Sequence, residues 1–348
     1  MYRKLFFFII ALALTACAPK LTEKKNLTVM THDSFAISEE VVVAFEKAHD
    51  VKVVFLASGD AGSALNKAIL TKDAPLADLF FGVDNTFLSR ALDAEIFEPY
   101  DAPALADIPP EAQLDKSNRA LPVDFGDVCI NYDKAYFLEN KLAVPSTFED
   151  LLKSEYAGLL VVENPATSSP GLAFLMATIA HFGENGYLDY WQGLRENGVV
   201  VADGWETAYY SHFSASVGQG AQPLVVSYGS SPAAEVIFAE TELKDSPTAS
   251  LLGDGMCFRQ IEFVGILAGT KNRDLAESFV DFMLSAEFQE DLPMQMFVYP
   301  ILPSANLPAE FLQYAEMPKN PAILDFALIA QNRAMDSRLD GDGLKVIK

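Results

Sequence analysis

The 348-residue sequence predicts an α/β protein of two lobes joined by two crossing strands. Three observations carry that expectation. Short apolar, β-branched runs alternate with helix-period runs along most of the chain, the pattern of a sheet with helices on its faces. Two long strand-like runs, Val123–Tyr132 and Phe258–Leu267, cut the chain into an outer and a middle part. The alternation occurs within each part, and the length suits two domains of ordinary size. Half of the residues are hydrophobic and 21% are charged, a composition able to bury a large core.

The elements follow in order. Leu27–Thr31 alternates as a first strand, and Ser38 opens a helix through His49. Val51–Leu56 is apolar at nearly every position, as a strand covered on both faces would be. Gly59 to Ser63 opens a helix to about Thr71. Asp78–Val83 is a third strand, followed by a helix over Asn85–Ala94. After Val123–Tyr132 come a short helix at Thr147–Lys153, a strand at Gly158–Val162, and helices at Gly171–Phe182 and Leu188–Asn197. A strand at Val199–Ala202, a helix at Trp205–Val217, a strand at Pro223–Ser227 and a helix at Ala233–Glu240 complete the middle part. Helices at Arg273–Leu284 and Ala286–Asp291 follow Phe258–Leu267, and the last stretch reads as mostly helical. A two-strand connection of this kind permits closure of one lobe on the other.

The first residues address the chain. Arg3 and Lys4 precede a ten-residue apolar run ending at Leu14, and Leu14-Thr15-Ala16-Cys17 follows. This is the layout of a secretory signal, and the apolar run is shorter than the ~20 residues of a permanent span. The Leu-Thr-Ala-Cys ending resembles a bacterial lipobox, which makes residues 1–16 a signal, Cys17 the lipidated residue and residues 17–26 a polar tether. The expected domains are then residues 27–124 with 258–348 as the first lobe and 125–257 as the second. The mature chain is extracytoplasmic and membrane-anchored in this reading. The formal charge of the whole sequence, −23, argues against a nucleic-acid partner and against binding to anionic membrane surfaces by charge. Cys129 and Cys257 remain as two thiols in an oxidising compartment, and spacing alone leaves their pairing open.

Catalytic and metal motifs are missing. There is no G-x-S-x-G, no H-E-x-x-H and no P-loop. The four histidines are scattered, and Asp340-Gly341-Asp342 lacks the other positions of a calcium loop. Three loops that open helices stand out instead. Thr167-Ser168-Ser169-Pro170-Gly171 and Tyr228-Gly229-Ser230-Ser231-Pro232 each follow a strand and put hydroxyls before a proline. Ser169 and Ser231 suit the N-cap and Pro170 and Pro232 the first helical position, and free N–H groups there favour an anion. Asp60 opens the third such helix. Trp205 sits at a strand-to-helix loop, where its ring can stack on a flat or cationic ligand. Loops at the carboxyl ends of strands are where such sheets bind ligands.

Taken with Thr31-His32-Asp33-Ser34-Phe35, the run Ala77 to Asn85, Pro122 to Gly126 and Asn131 to Lys134, these loops resemble the thiamine and thiamine-phosphate binding proteins of ABC importers. The resemblance runs from about Leu27 to about Arg338. It implies the two-lobed periplasmic-binding-protein fold (type II), with two hinge-crossing strands and a ligand cleft between lobes. It also implies a non-enzymatic monomer that hands thiamine, thiamine monophosphate or thiamine diphosphate to permease subunits. Carried over by motif, the ligand contacts are Asp60, Ala61, Ser168, Ser169, Trp205, Tyr228, Gly229, Ser230 and Ser231, and Asp33 offers a further countercharge. No cofactor or metal is expected. Departures cluster at aromatic positions: His32 stands where Tyr is common, Phe297 where Trp precedes Tyr299-Pro300, and Ala234 where an aromatic is frequent. Ala61 replaces a glycine. Other ligands on the same fold are a ferric ion, for which Tyr209-Tyr210 is the candidate pair, or a phosphonate. An anchored phosphatase or transferase is the enzymatic alternative.

Overall fold

The structure, a computed structural model, describes residues 24–215, 220–322, 324 and 328–329. The signal, Cys17 and the Asp340–Asp342 run lie outside these residues. In chain order the elements are β1 (Lys25–Thr31), α1 (Glu39–His49), β2 (Val51–Ala57), α2 (Ala61–Leu70), β3 (Leu79–Asp84), α3 (Leu88–Asp93), β4 (Phe97–Glu98), β5 (Leu121–Asp133), α4 (Lys134–Glu139) and β6 (Leu160–Glu163). They continue with α5 (Ser169–Glu196), β7 (Val200–Ala202), β8 (Leu224–Tyr228), α6 (Ser231–Ile237), β9 (Thr248–Leu251), β10 (Phe258–Leu267), α7 (Arg273–Met283), α8 (Ala286–Gln289), α9 (Leu292–Gln295), β11 (Tyr299–Pro300) and α10 (Ala309–Tyr314).

The strands form one sheet in the order β2-β1-β3-β10-β5-β8-β6-β7, with β4 beside β10 and with β9 and β11 beside β5. β1 runs parallel to β2 and β3, and β6 parallel to β7 and β8. These two parallel groups meet through an antiparallel centre, where β10 pairs with β3 on one side and β5 on the other, and β5 pairs with β8. The chain therefore passes from the first lobe to the second along β5 and returns along β10. Arg259 clamps the crossing, donating through Nε and Nη2 to Asp127 (2.9 and 2.8 Å), its register partner. Cys129 of β5 and Cys257, just before β10, form a disulfide. No helix among the described residues is long and apolar enough to cross a membrane.

Several elements differ from their sequence reading. β2 is the edge strand, and its burial alternates, with Lys52 and Val54 exposed, because only one face meets the core. β1 begins at Lys25, inside the segment read as tether. The two middle helices are one run interrupted at Gly183, whose φ of 71° takes the backbone out of the helix as only glycine readily does. The helix expected at Trp205–Val217 shrinks to a wide-turn helix over Thr207–His212. β4, β9 and α4 escaped the sequence reading. The first two are only 2 and 4 residues long and α4 has 6, too few for a periodic signal. Between Tyr299 and Ala322 the chain is mostly irregular, with α10 its only helix among the described residues, against the helical expectation.

Candidate functional site

A cavity of about 650 Å³ lies at the carboxyl ends of the strands, between the lobes. That is within the range of roughly 300–1,000 Å³ of small-ligand pockets. The first lobe contributes His32, Ser34, Asp60, Ala61, Glu262 and the segment from Gln295 to Val298. The second contributes Ser169, Pro170, Trp205, Glu206, Tyr209, Tyr210, Tyr228, Ser231, Glu235 and Phe238.

Local backbone demands set these side chains. Asp60 caps α2, its Oδ1 accepting the Ala61 N–H at 2.8 Å. The loops after β1 and β2 are tied to one another: Gly59 N donates to Asp33 Oδ1 (2.8 Å) and Asp33 N to Gly59 O (3.0 Å). Asp33 thus fastens the loop that carries Asp60 and does not line the cavity. Across the cleft, a β-carbon on Gly204 would sit 3.1 Å from Asp60 Oδ2. One on Gly62 would meet the carbonyl oxygens of Thr167 and Ala166 at 3.0 and 3.1 Å. The two lobes therefore approach closely at two places, where an added side chain would press on the opposite lobe.

The first serine loop holds α5 over the end of β6. Its cap is Ser168, one residue earlier than read from the sequence, and Ser168 Oγ makes no cap bond. Ser168 is fully buried, its hydroxyl has no partner, and it stays off the cavity wall. Ser169 lines the wall, and its Oγ is buried without a partner. Beneath them Glu163 is wholly buried with neither carboxyl oxygen hydrogen-bonded, and burial holds its pKa well above the ordinary value.

In the second serine loop the cap is Ser230, again one residue earlier than expected, and its side chain does not bond α6. Ser230 Oγ instead donates to the carbonyl of Phe297, fixing the loop from the other lobe. Gly229 N donates to Asp127 O (2.7 Å), so Gly229 and Ser230 serve the frame rather than the cavity wall. Ser231 does line the wall, where its Oγ pairs with Ser227 Oγ (2.9 Å). Ser227 Oγ also accepts the indole N–H of Trp205 (2.8 Å). This chain fixes the indole. Tyr209 stacks on it (5.1 Å between centroids, 23° between planes) and donates its hydroxyl to Glu235 (2.6 Å). Tyr210 meets Trp205 edge-on at 5.5 Å and is 48% exposed. Tyr209 and Tyr210 thus form an aromatic shelf with Trp205, and the Tyr209 hydroxyl is already engaged. Among the described residues no group of three or more His, Cys, Asp or Glu could hold a metal ion.

Of the residues expected at the site, the fold brings Asp60, Ala61, Ser169, Trp205, Tyr228 and Ser231 to the cavity. It leaves Asp33, Ser168, Gly229 and Ser230 behind it. Sequence reasoning missed Phe238, Glu206, Glu235 and Glu262 as lining residues; it raised His32 and Phe297 only as departures from the family pattern and Tyr209 only as part of a candidate iron pair. A weak signal for Tyr209 was its position four residues after Trp205, which places both on one helical face. Glu262 was the one acid in an apolar strand run. Among the described residues five carboxylates, Asp60, Glu206, Glu235, Glu240 and Glu262, line the cavity with His32 and with no lysine or arginine.

Comparison with known proteins agrees with this architecture. Residues 74–332 match the family described as bacterial extracellular solute-binding protein. The chain is 31% identical over 307 residues to the thiamine-binding periplasmic protein of Salmonella typhimurium, covering 87% of this chain and 89% of that one. A solved periplasmic thiamin binding protein superimposes with a TM-score of 0.80 at 27% identity, over 93% of this chain and 97% of its own. The ferric binding protein from Campylobacter jejuni shares the fold at a TM-score of 0.72 and 19% identity, over 92% and 98% of the two chains.

Proposed function

From the premise that the chain belongs to the bacterial extracellular solute-binding proteins, non-enzymatic components of ABC importers, we propose that it captures thiamine by lobe closure. The observation that carries this is the cavity wall: an aromatic shelf at Trp205, Tyr209 and Tyr210 and, among the described residues, five carboxylates without a lysine or arginine. A thiazolium cation is attracted by both, through the faces of the rings and through unscreened charge in a closed cleft. An aminopyrimidine supplies a flat surface for stacking.

The same charge pattern ranks the phosphate esters. Apart from His32, whose charge is already met by Glu262, a phosphate in this cavity finds only neutral donors among the described residues, those at the start of α5 beside Ser169. α6 is a single 7-residue helix whose Ser231 is already bonded to Ser227. Affinity should therefore run thiamine at least equal to the monophosphate, and both above the diphosphate. Calorimetric titration of the refolded, ligand-free chain with the three compounds tests this. A dissociation constant near or below about 1 μM for thiamine, about −8 kcal/mol, supports the reading. Tighter binding of the diphosphate than of thiamine would reverse the ranking, and no heat with any of them would reject thiamine.

The ending Leu14-Thr15-Ala16-Cys17 supports anchorage of the mature chain by lipid on Cys17, delivering its ligand to permease subunits as a monomer. Replacement of Cys17 by Ala should move the protein from the membrane fraction to the soluble one. Retention in the membrane fraction would sink the anchor.

A further inference from the structure

Three adjacent strands place an acid in the same row. Glu262 of β10 is the register partner of Asp84 on β3 and of Asp124 on β5. Residues directly opposite across antiparallel strands share a face of the sheet, so the three carboxyls lie side by side. Asp84 and Asp124 are fully buried and Glu262 is 7% exposed.

Their partners differ. Asp84 is fully provided: Oδ1 accepts the N–H groups of Thr86 (2.6 Å) and Phe87 (3.2 Å), and Oδ2 accepts Gln260 Nε2 (3.0 Å). Asp124 receives no donor on either oxygen, and the group within hydrogen-bonding reach is the carboxyl of Glu262. Glu262 also faces the cavity, where its Oε1 lies 3.4 Å from Nε2 of His32. That nitrogen has no hydrogen bond and is itself buried on the cavity wall. Two buried carboxyls in contact do not both ionise when nothing donates to one of them. Asp124 therefore keeps a proton that it donates to Glu262, and the charge of Glu262 faces the imidazole. Burial drives the Asp124 pKa well above its ordinary value, and the charge of Glu262 adds to it.

We propose that the chain His32–Glu262–Asp124 is the cation-recognition element of this cavity. The cationic or N–H-donating edge of a heteroaromatic ligand replaces the His32 imidazolium on Glu262, and the imidazolium releases its proton to solvent. This rests on the thiamine reading of the site and names the residue that reads the ligand's charge. The imidazole is held for the role. Its Cδ2 would be only 2.4 Å from a β-carbon on Gly82, whose φ of 102° also calls for glycine, and its ring lies 5.8 Å from that of Phe81. The charged and titratable groups facing it are Glu262 from β10, Asp60 at the start of α2 and Asp33 from its own loop. Those facing Glu262 besides His32 are Asp84, Asp124 and the buried phenol of Tyr228. Burial alone would lower the basicity of His32, but the surrounding carboxylates outweigh it and raise its pKa above the ordinary value of 6.5. Ligand and proton then compete, so affinity rises with pH until His32 is neutral.

The test is calorimetry on the full chain with two probes, thiamine and its hydroxymethyl-aminopyrimidine half, at pH 6 in buffers of different ionisation enthalpy. The wild-type protein should release about one proton per thiamine bound. Glu262→Gln should weaken thiamine by about tenfold or more and abolish the release. His32→Gln should bind without proton release and with a dissociation constant that is flat in pH, which decides the matter even if Glu262→Gln fails to fold. Wild-type binding with no proton exchange, or a folded Glu262→Gln within about twofold of wild type, overturns the proposal. If thiamine gives no heat but the aminopyrimidine half binds with proton release, the thiamine reading falls and the recognition element stands. If neither probe binds, both fall.

Discussion

At Trp205 a single ring is both positioned and exposed for use. Its N–H is spent on Ser227, its face is backed by Tyr209, and its remaining surface lines the cavity. Trp205→Ala should weaken thiamine by more than about tenfold, roughly 1.4 kcal/mol, while leaving the melting temperature within a few degrees, because the half-buried ring contributes little core. Fluorescence or calorimetric titration checks it, and an unchanged dissociation constant would remove Trp205 from the site. Phe297 belongs to the same scale. It sits at a φ of 57°, a conformation costly for an aromatic residue, and the hydroxyl of Ser230 holds its carbonyl. Ser230→Ala should therefore weaken ligand binding through loss of this loop, not through a lost ligand contact. A crystal structure of the variant with Phe297 unmoved would contradict that.

Among the elements, α2 and the loop before α5 close the cleft edge to edge. A β-carbon added to Gly62 would come within 3.0 and 3.1 Å of two carbonyl oxygens across it. Gly62→Val should leave each lobe folded but hold them apart, lowering affinity by reducing the closed population. Small-angle scattering should show a larger radius of gyration with ligand than for wild type with ligand, and identical curves would reject the mechanism. The crossing strands carry the other element-scale device. The Cys129–Cys257 disulfide closes a stretch with a sequence separation of 128, so it restricts the unfolded chain strongly. Replacing both cysteines by Ala should cost about 2–5 kcal/mol of stability, read by urea denaturation. The same double variant should retain ligand affinity, since neither sulfur lines the cavity.

For the whole molecule, burial of acids makes stability depend on pH in an unusual direction. Asp84 is pushed up from 3.8 to about 7, chiefly by burial, and Asp124 and Glu163 also lie well above their ordinary values for the same reason. An acid with a raised folded pKa binds its proton more tightly when folded. Its contribution is fully present below the unfolded value and is lost as pH rises through the folded one. His32, also raised, acts in the same direction. Stability should therefore fall between about pH 4 and pH 7, and the overall charge of −23 adds self-repulsion at the upper end. Below that window Asp115, lowered by its hydrogen bonds to Ser117, Arg119 and Ala120 despite burial, loses its contribution. Differential scanning calorimetry should find a higher melting temperature at pH 5 than at pH 8. A maximum at or above pH 7 would show that the buried acids are ionised in the folded protein.

The sequence by itself determined the alternation of strands and helices and the two crossing strands, because β10 and β5 are long and apolar and their period survives without neighbours. It also determined that Asp60, Ser169, Trp205, Tyr228 and Ser231 lie at junctions between a strand end and the helix that follows, since capping residues and proline mark helix starts locally. The tertiary structure decided which of those loop residues face the cavity. Ser168 and Ser169 are adjacent and chemically identical, and both hydroxyls are buried without a partner, yet only Ser169 belongs to the cavity wall, an outcome of how α5 lies on β6. It alone decided the pairing of Cys129 with Cys257 and the row Asp84, Glu262 and Asp124. Register between strands far apart in the chain is set by the packing of the sheet and leaves no periodic trace in any one strand.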